Sequence, residues 1–205
     1  MRALVRRDLR DENASDYRWS DDELDRHIER AVRELSLSAP REASTTLTTS
    51  AGSRDLDIAT LVDRVSIDAV EYPTGQYPPS YVSHSLWGDT LTLLVEGAPG
   101  TDEPVAIRYT TVHVIDGSGS TVPAALEELV ATGAAAYAAL EWSSYATNRV
   151  NVGGADAWSQ FHTWALDRLA AFHKALAKRG RERRLRSRRL YVPVAGALGA
   201  RDSLE

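Results

Sequence analysis

The stretch Tyr17–Ser36, YRWSDDELDRHIERAVRELS, specifies its own secondary structure more completely than any other part of the chain. Ser20 is followed three residues later by Glu23, the spacing of a capping box in which each side chain satisfies a backbone N–H of the first turn. Trp19 just before the cap and Leu24 just after it occupy the positions of a hydrophobic staple, which fixes the angle of chain entry. Asp21, Asp22 and Glu23 place negative charge at the positive end of the helix dipole. Leu24, Ile28, Ala31, Val32 and Leu35 then recur at helical spacing as one apolar stripe. The opposite face carries Asp25, Arg26, Glu29, Arg30, Arg33 and Glu34, with Glu29 and Arg33 at the i,i+4 spacing of a helical ion pair. Taken alone, this is an amphipathic helix over 20–36 that needs neighbours to cover its stripe.

The neighbours are legible on both sides. A short helix over 2–11 precedes it, with Ala3, Leu4 and Leu9 available for packing. A third helix, over 122–148, follows DGSGSTVP, with Ser120 or Thr121 as cap and Pro123 in the first turn. Its stripe runs Leu126, Leu129, Val130, Gly133, Tyr137, Leu140, and the Ala-rich run ATGAAAYAA lets another helix approach closely. A fourth, over 156–180, starts after the turn Gly153-Gly154; Trp158, Phe161, Ala165, Leu169, Phe172 and Leu176 form its apolar face, and Gly180 predicts its end.

Between the second and third helices the period changes from 3.6 to 2. STTLTTS, RVSIDAVEY, SYVSHSLW, TLTLLVEG and VAIRYTTVHV are rich in Thr, Val, Ile and Tyr, as strands are. Gly88-Asp89 between two of them is a two-residue hairpin turn. Pro73, Gly75, Pro78 and Pro79 open the preceding connection into a longer loop. The fold class is therefore α+β: a four-helix, mainly α bundle from 1–42 and 117–182, an inserted antiparallel β unit over 43–116, and an extended basic C-terminal arm over 183–205.

Composition narrows the chemistry. The 205 residues hold no cysteine, which removes disulfides and thiolate metal sites. No apolar run approaches the roughly 18 residues of a membrane span, and MRALVRRDLRDE has no apolar core of a secretory signal, so a soluble protein that is not exported by a signal peptide is expected. The net charge of −5 hides an asymmetry: residues 174–189, KALAKRGRERRLRSRR, carry 9 basic residues and one acidic, net +8, while 1–173 carry 14 basic and 26 acidic, net −12. Such a segment either contacts something negative or simply places cations at the negative end of a helix dipole.

Catalytic and ligand motifs are scarce. The five histidines, at 27, 84, 113, 162 and 173, show no metal-ligand spacing; His162 and His173 share a helix, but ordinary polar histidines account for both. Asp116-Gly117-Ser118-Gly119-Ser120-Thr121 precedes a helix, yet it lacks a P-loop lysine and the GxGxxG pattern, and a flexible turn with an N-cap explains it better. No GxSxG occurs, and the acid pairs Asp21-Asp22 and Glu127-Glu128 sit in first turns where the dipole accounts for them. No catalytic residue, cofactor or metal ligand is assigned, and nothing argues for an enzyme.

The layout resembles the head–tail connector (adaptor) proteins of tailed bacteriophages. Their ArgxxLeuxAspGlu…TrpSerAspxGluLeu…AlaVal motif reads here RRDLRDENASDYRWSDDELDRHIERAV, and an inserted β region, GSTVPAALEELVATGAAAYAALEW, a long helix and a basic C-terminus follow. The resemblance implies a structural virion protein at the head–tail junction, assembled in the host cytoplasm. It would form a ring, usually dodecameric in that family, beneath the portal, prolong the DNA channel and present a surface to stopper or tail proteins. It implies a homo-oligomer with portal and stopper or tail proteins as partners, non-specific contact with genomic DNA, and no membrane. Arg26, Glu29, Arg30 and Arg33 would then face a neighbouring subunit. Arg183, Arg184, Arg186, Arg188, Arg189, Leu190, Tyr191, Val192, Pro193 and Val194 would form a portal-docking arm, the apolar part of which is short and β-prone with a proline that confines it to a sheet edge. The alternative is a nucleic-acid-binding regulator that uses 174–189, against which stand the acidic body and the lack of a helix-turn-helix spacing; a small enzyme with a β-lined pocket is the other rival.

Overall fold

A computed structural model describes residues 1–117, 119–146 and 157–188. The fold is α+β. Among the described residues, four helices, α1 (Arg2–Leu9), α2 (Asp21–Ser38), α3 (Ala124–Ala146) and α4 (Ala157–Arg188), enclose nine strands in the sequence. The strands are β1 (Arg41–Thr48), β2 (Asp55–Asp57), β3 (Arg64–Glu71), β4 (Tyr81–Val82), β5 (His84–Trp87), β6 (Thr90–Leu93), β7 (Pro104–Thr111), β8 (Ile115–Asp116) and β9 (Gly119–Ser120).

The chain divides into two compact units, Met1–Arg41 with His113–Arg181, and Glu42–Val112 with the described residues from Glu182 onward. The helical unit has its own core, in which Val5, Trp19, Leu24, Leu35, Val130, Phe172 and Leu176 are all buried. α3 is its central element. Ala134, Ala135, Ala136, Ala138 and Ala139 are each fully buried, so the helix is covered on all sides and not along one stripe. Alanine makes that possible, because only small side chains let neighbouring helices close in from several directions. Gly133 is the extreme case: a Cβ there would stand 2.8 Å from Phe172 Cζ, so the aromatic ring lies directly on the α3 backbone.

The second unit is built from two antiparallel sheets, ordered β1-β7-β3-β4 and β2-β6-β5, around Leu56, Ile58, Val70, Leu91, Leu93, Val105 and Ile107. Gly88-Asp89 joins β5 to β6, with Trp87 paired to Thr90, and Gly88 adopts φ 59, which glycine supplies without strain.

Several boundaries differ from the sequence expectations. α1 stops at Leu9, because Arg10 turns left-handed (φ 57) and the Asp11 N–H donates to the Arg6 carbonyl. Ala3 faces solvent and Val5 takes the buried place. Pro123 lies just before α3, not in its first turn, and the Thr121 hydroxyl accepts from the Val114 N–H, 2.8 Å, so it ties down the preceding hairpin. That hairpin, β8–β9, pairs Ile115 with Ser120 and Asp116 with Gly119 where a flexible turn is expected. The helical unit resumes at His113, four residues earlier than 117: its backbone N–H donates to Ser36 Oγ, and its ring nitrogens reach the carbonyls of Ala39 and Thr121, each at 2.9 Å.

The largest correction concerns the C-terminal arm. α4 does not end near Gly180 but continues to Arg188, so Arg183, Arg184, Arg186 and Arg188 are helical and not extended. A helix-interior glycine costs only about 1 kcal/mol, and the cations that follow lie at the favourable negative end of the dipole. Arg183 is neutralised as well: its Nη2 donates to Asp68 Oδ1 at 2.7 Å and to Ser66 Oγ at 2.6 Å. Arg189, Leu190, Tyr191, Val192, Pro193 and Val194 lie outside the described residues, as does the Gly153-Gly154 turn.

Candidate functional site

The capped start of α2 is one half of a clamp whose other half is α1. Ser20 Oγ accepts from the Glu23 N–H, Glu23 Oε2 accepts from the Ser20 N–H at 2.8 Å, and those bonds hold the Glu23 carboxyl below its usual range. Trp19 and Leu24 are buried in one core. Arg6 closes the structure from α1. Its buried guanidinium donates to Asp11 Oδ2 at 2.7 Å, to the Trp19 carbonyl at 3.0 Å and to Asp21 Oδ1 at 2.7 Å, with the Tyr17 ring 3.4 Å away. Asp11 in turn accepts the Arg18 N–H at 2.7 Å. Arg6, Leu9 and Asp11, the ArgxxLeuxAsp of the quoted motif, are therefore all buried, and together they fix how the loop 10–20 returns the chain into α2.

The polar face of α2 is spent largely within the helical unit. Arg26 Nη2 donates to Glu141 at 2.6 Å. Arg30 pairs with Glu34 at 3.6 Å and lies 3.8 Å from the centre of the Tyr137 ring, so the i,i+4 pair of this face is Arg30–Glu34 and not Glu29–Arg33. Tyr137 donates to Glu34 Oε1 at 2.5 Å, and burial, then this bond, pushes its pKa up to about 12. His173 Nε2 stands 3.1 Å from Glu34 Oε2. Glu29 and Arg33 are exposed.

Sequence reasoning singled out no role for His27, which is buried with Nε2 3.1 Å from Glu141 Oε2. Burial, against the opposing pull of Glu141, depresses its pKa below the ordinary histidine value, so the fold disfavours the charged ring even beside this carboxylate. The residue falls four after Glu23 on the capped helix, and only the position of Glu141 on α3 reveals what it does. His27 helps line a cavity of about 370 Å3 with Arg18, Glu23, Glu141, Trp142 and Tyr145. Arg18 sits among aromatic rings, 4.5 Å from the centre of Trp142 and 5.4 Å from that of Phe161.

The polar side chains of this arrangement are engaged in packing and charge pairing. Ser143 lies 3.3 Å from His162, but its hydroxyl donates to the Leu140 carbonyl at 2.8 Å and so caps its own helix turn. Among the described residues no three His, Asp or Glu side chains converge as metal ligands, and no helix is long and apolar enough to cross a membrane.

No family model matches the sequence, and no curated protein matches it. Among solved structures, a chain from the neck of an empty GTA particle computed with C6 symmetry aligns over 77% of this chain and 86% of its own, at 16% identity and a TM-score of 0.30.

Proposed function

We propose that this chain is a structural component of the neck of a phage-like particle, a head–tail connector that forms a ring beneath the portal and offers a surface to stopper or tail proteins. The observation that carries this reading is the clamp: the residues of the connector-like motif, Arg6, Leu9, Asp11, Trp19, Ser20, Glu23 and Leu24, form one continuous set of buried contacts and caps. They act as a unit that sets the angle between two helices, which is what a ring subunit must hold constant from copy to copy. The role is non-catalytic.

In this reading the C-terminal segment beyond Arg183 is the arm that reaches the portal. Contact with genomic DNA in the channel is electrostatic and blind to sequence, because a connector must let DNA slide.

Electron microscopy of the protein mixed with the portal of its own particle tests the proposal. The expected result is a ring seated on the portal, lost when 186–205 are deleted. A protein that never joins the portal but binds one duplex sequence preferentially would make it a regulator that uses 174–189.

A further inference from the structure

The three-stranded sheet β2-β6-β5 leaves one face open, and its register defines what that face carries. Asp57 pairs with Thr90 and Thr90 with Trp87, while Asp55 pairs with Thr92 and Thr92 with Ser85. Cross-strand partners point the same way, so these six side chains share one face, and Leu56, Leu91 and Leu93 on the other face are buried. Trp87 is 89% exposed. The three strands and their Gly88-Asp89 turn contain three aspartates and no lysine or arginine. The tip is also held rigidly: Arg64 Nη2 donates to the Gly88 carbonyl and to Asp89 Oδ1, each at 2.7 Å, and the Ile58 N–H donates to the Asp89 carbonyl at 2.9 Å. A large indole presented in a fixed position beside carboxylates is an anchor without a partner among the described residues of its own unit.

We propose that this face docks on the cationic face of α4 of a second copy, formed by Lys174, Lys178 and Arg181. Those residues are exposed and spaced i, i+4, i+7, opposite the buried Phe172 and Leu176. They span about 10 Å of helix, and Asp57 and Trp87, two strands apart, are separated by nearly the same distance, about 9.5 Å. The sheet supplies carboxylates and an aromatic face, and the helix supplies ammonium and guanidinium groups for both. Each copy carries one surface of each kind, so the contact is head-to-tail, the type that generates rings when the rotation closes. The inference deepens the connector reading and rests on its ring.

Sedimentation measured at low and high salt tests it on the full chain. The parent should self-associate, and more weakly as salt rises. Trp87→Ser should weaken association roughly 30-fold, and Lys178→Glu should weaken it too; both sites are exposed, so melting temperatures should not move. Asp57→Lys combined with Lys178→Glu should restore association. Because the chain has no cysteine, Trp87→Cys and Lys178→Cys on separately tagged chains should cross-link only when mixed. A parent that is monomeric at low salt and high concentration overturns the interface. So does association that survives both single substitutions, although a ring built on other contacts would leave the connector reading standing. Loss of duplex DNA binding in Lys178→Glu with unchanged association would assign the basic face to phosphates instead. Failure of the parent to join the portal overturns the connector reading itself.

Discussion

Arg6 is the residue on which the N-terminal clamp turns. Its side chain is 7% exposed and faces Asp11, itself 6% exposed. Removing one partner of such a buried pair leaves the other charge uncompensated, at a cost of about 3–5 kcal/mol, whereas loss of an exposed N-cap costs about 1 kcal/mol. Arg6→Ala should therefore lower unfolding free energy in urea several times more than Ser20→Ala, and equal losses would show that the clamp is no stronger than a cap. His27 makes a second residue-scale prediction. Its folded-state pKa lies below the unfolded value of 6.5, chiefly through burial, with Arg26 and Arg30 adding to the depression and Glu141 and Glu23 opposing it. The unfolded chain thus takes up its proton at a higher pH than the fold does, so stability is present above pH 6.5 and is lost as pH falls from there through the depressed value. His84, half-buried, shifts in the same direction. His27→Gln should flatten part of the fall in melting temperature between about pH 7 and about pH 5; a variant that keeps the whole slope would remove His27 as a source.

Two glycines make predictions at the scale of the element, with opposite signs. Gly133 lies in the interior of α3 with Phe172 on its backbone, and any larger side chain must displace that fully buried ring. Gly133→Val should destabilise the protein by about 1–3 kcal/mol through overpacking, read as a lower denaturation midpoint. Gly180 is also helical, but a Cβ there would meet only the Ser38 carbonyl oxygen at 3.8 Å, an ordinary contact. Gly180→Ala should stabilise by roughly 0.5–1 kcal/mol, because alanine is the better helix former and restricts the unfolded chain. A loss of stability would place the end of α4 at Gly180 after all. The same comparison explains why the sequence misplaces that end. A glycine followed by a run of arginines has the form of a stop signal, and the Asp68 carboxylate that receives Arg183 is 115 residues away in sequence.

At the scale of the whole molecule, the two cores are separate sets of residues, and among the described residues neither includes a buried residue beyond Leu176. Truncation before residue 186 should therefore leave both folded, with an unchanged melting profile, while portal attachment is lost. Unfolding that begins with the truncation would mean that the arm belongs to a core. The charge asymmetry is also a whole-molecule property: the described strands of the β unit are poor in cations, and α4 concentrates them. Any self-association should consequently be salt-sensitive.

The amino-acid sequence by itself determined the local elements. The capping box, the helical stripes, the alternating strands and the Gly88-Asp89 turn are short-range devices, each encoded within a few residues and each governed by backbone hydrogen bonding or side-chain period. It also determined the α+β class, since the change of period between residues 36 and 120 is a property of the chain alone. Only the tertiary structure decided which polar residues are spent and which are open. Arg6 resembles Arg2 and Arg7 in sequence but is buried because Asp11 and the Trp19 carbonyl converge on it. Arg26 and Arg30 look like a free charged face and are engaged by Glu141 and by Glu34 with Tyr137, from α3 and from α2 itself. Trp87, by contrast, has the composition of a core residue and stands in solvent, because its pairing with Thr90 puts the indole on the face opposite the buried Leu91 and Leu93. Burial and charge pairing are set by which elements meet, and partners more than 100 residues apart leave no local mark on the sequence.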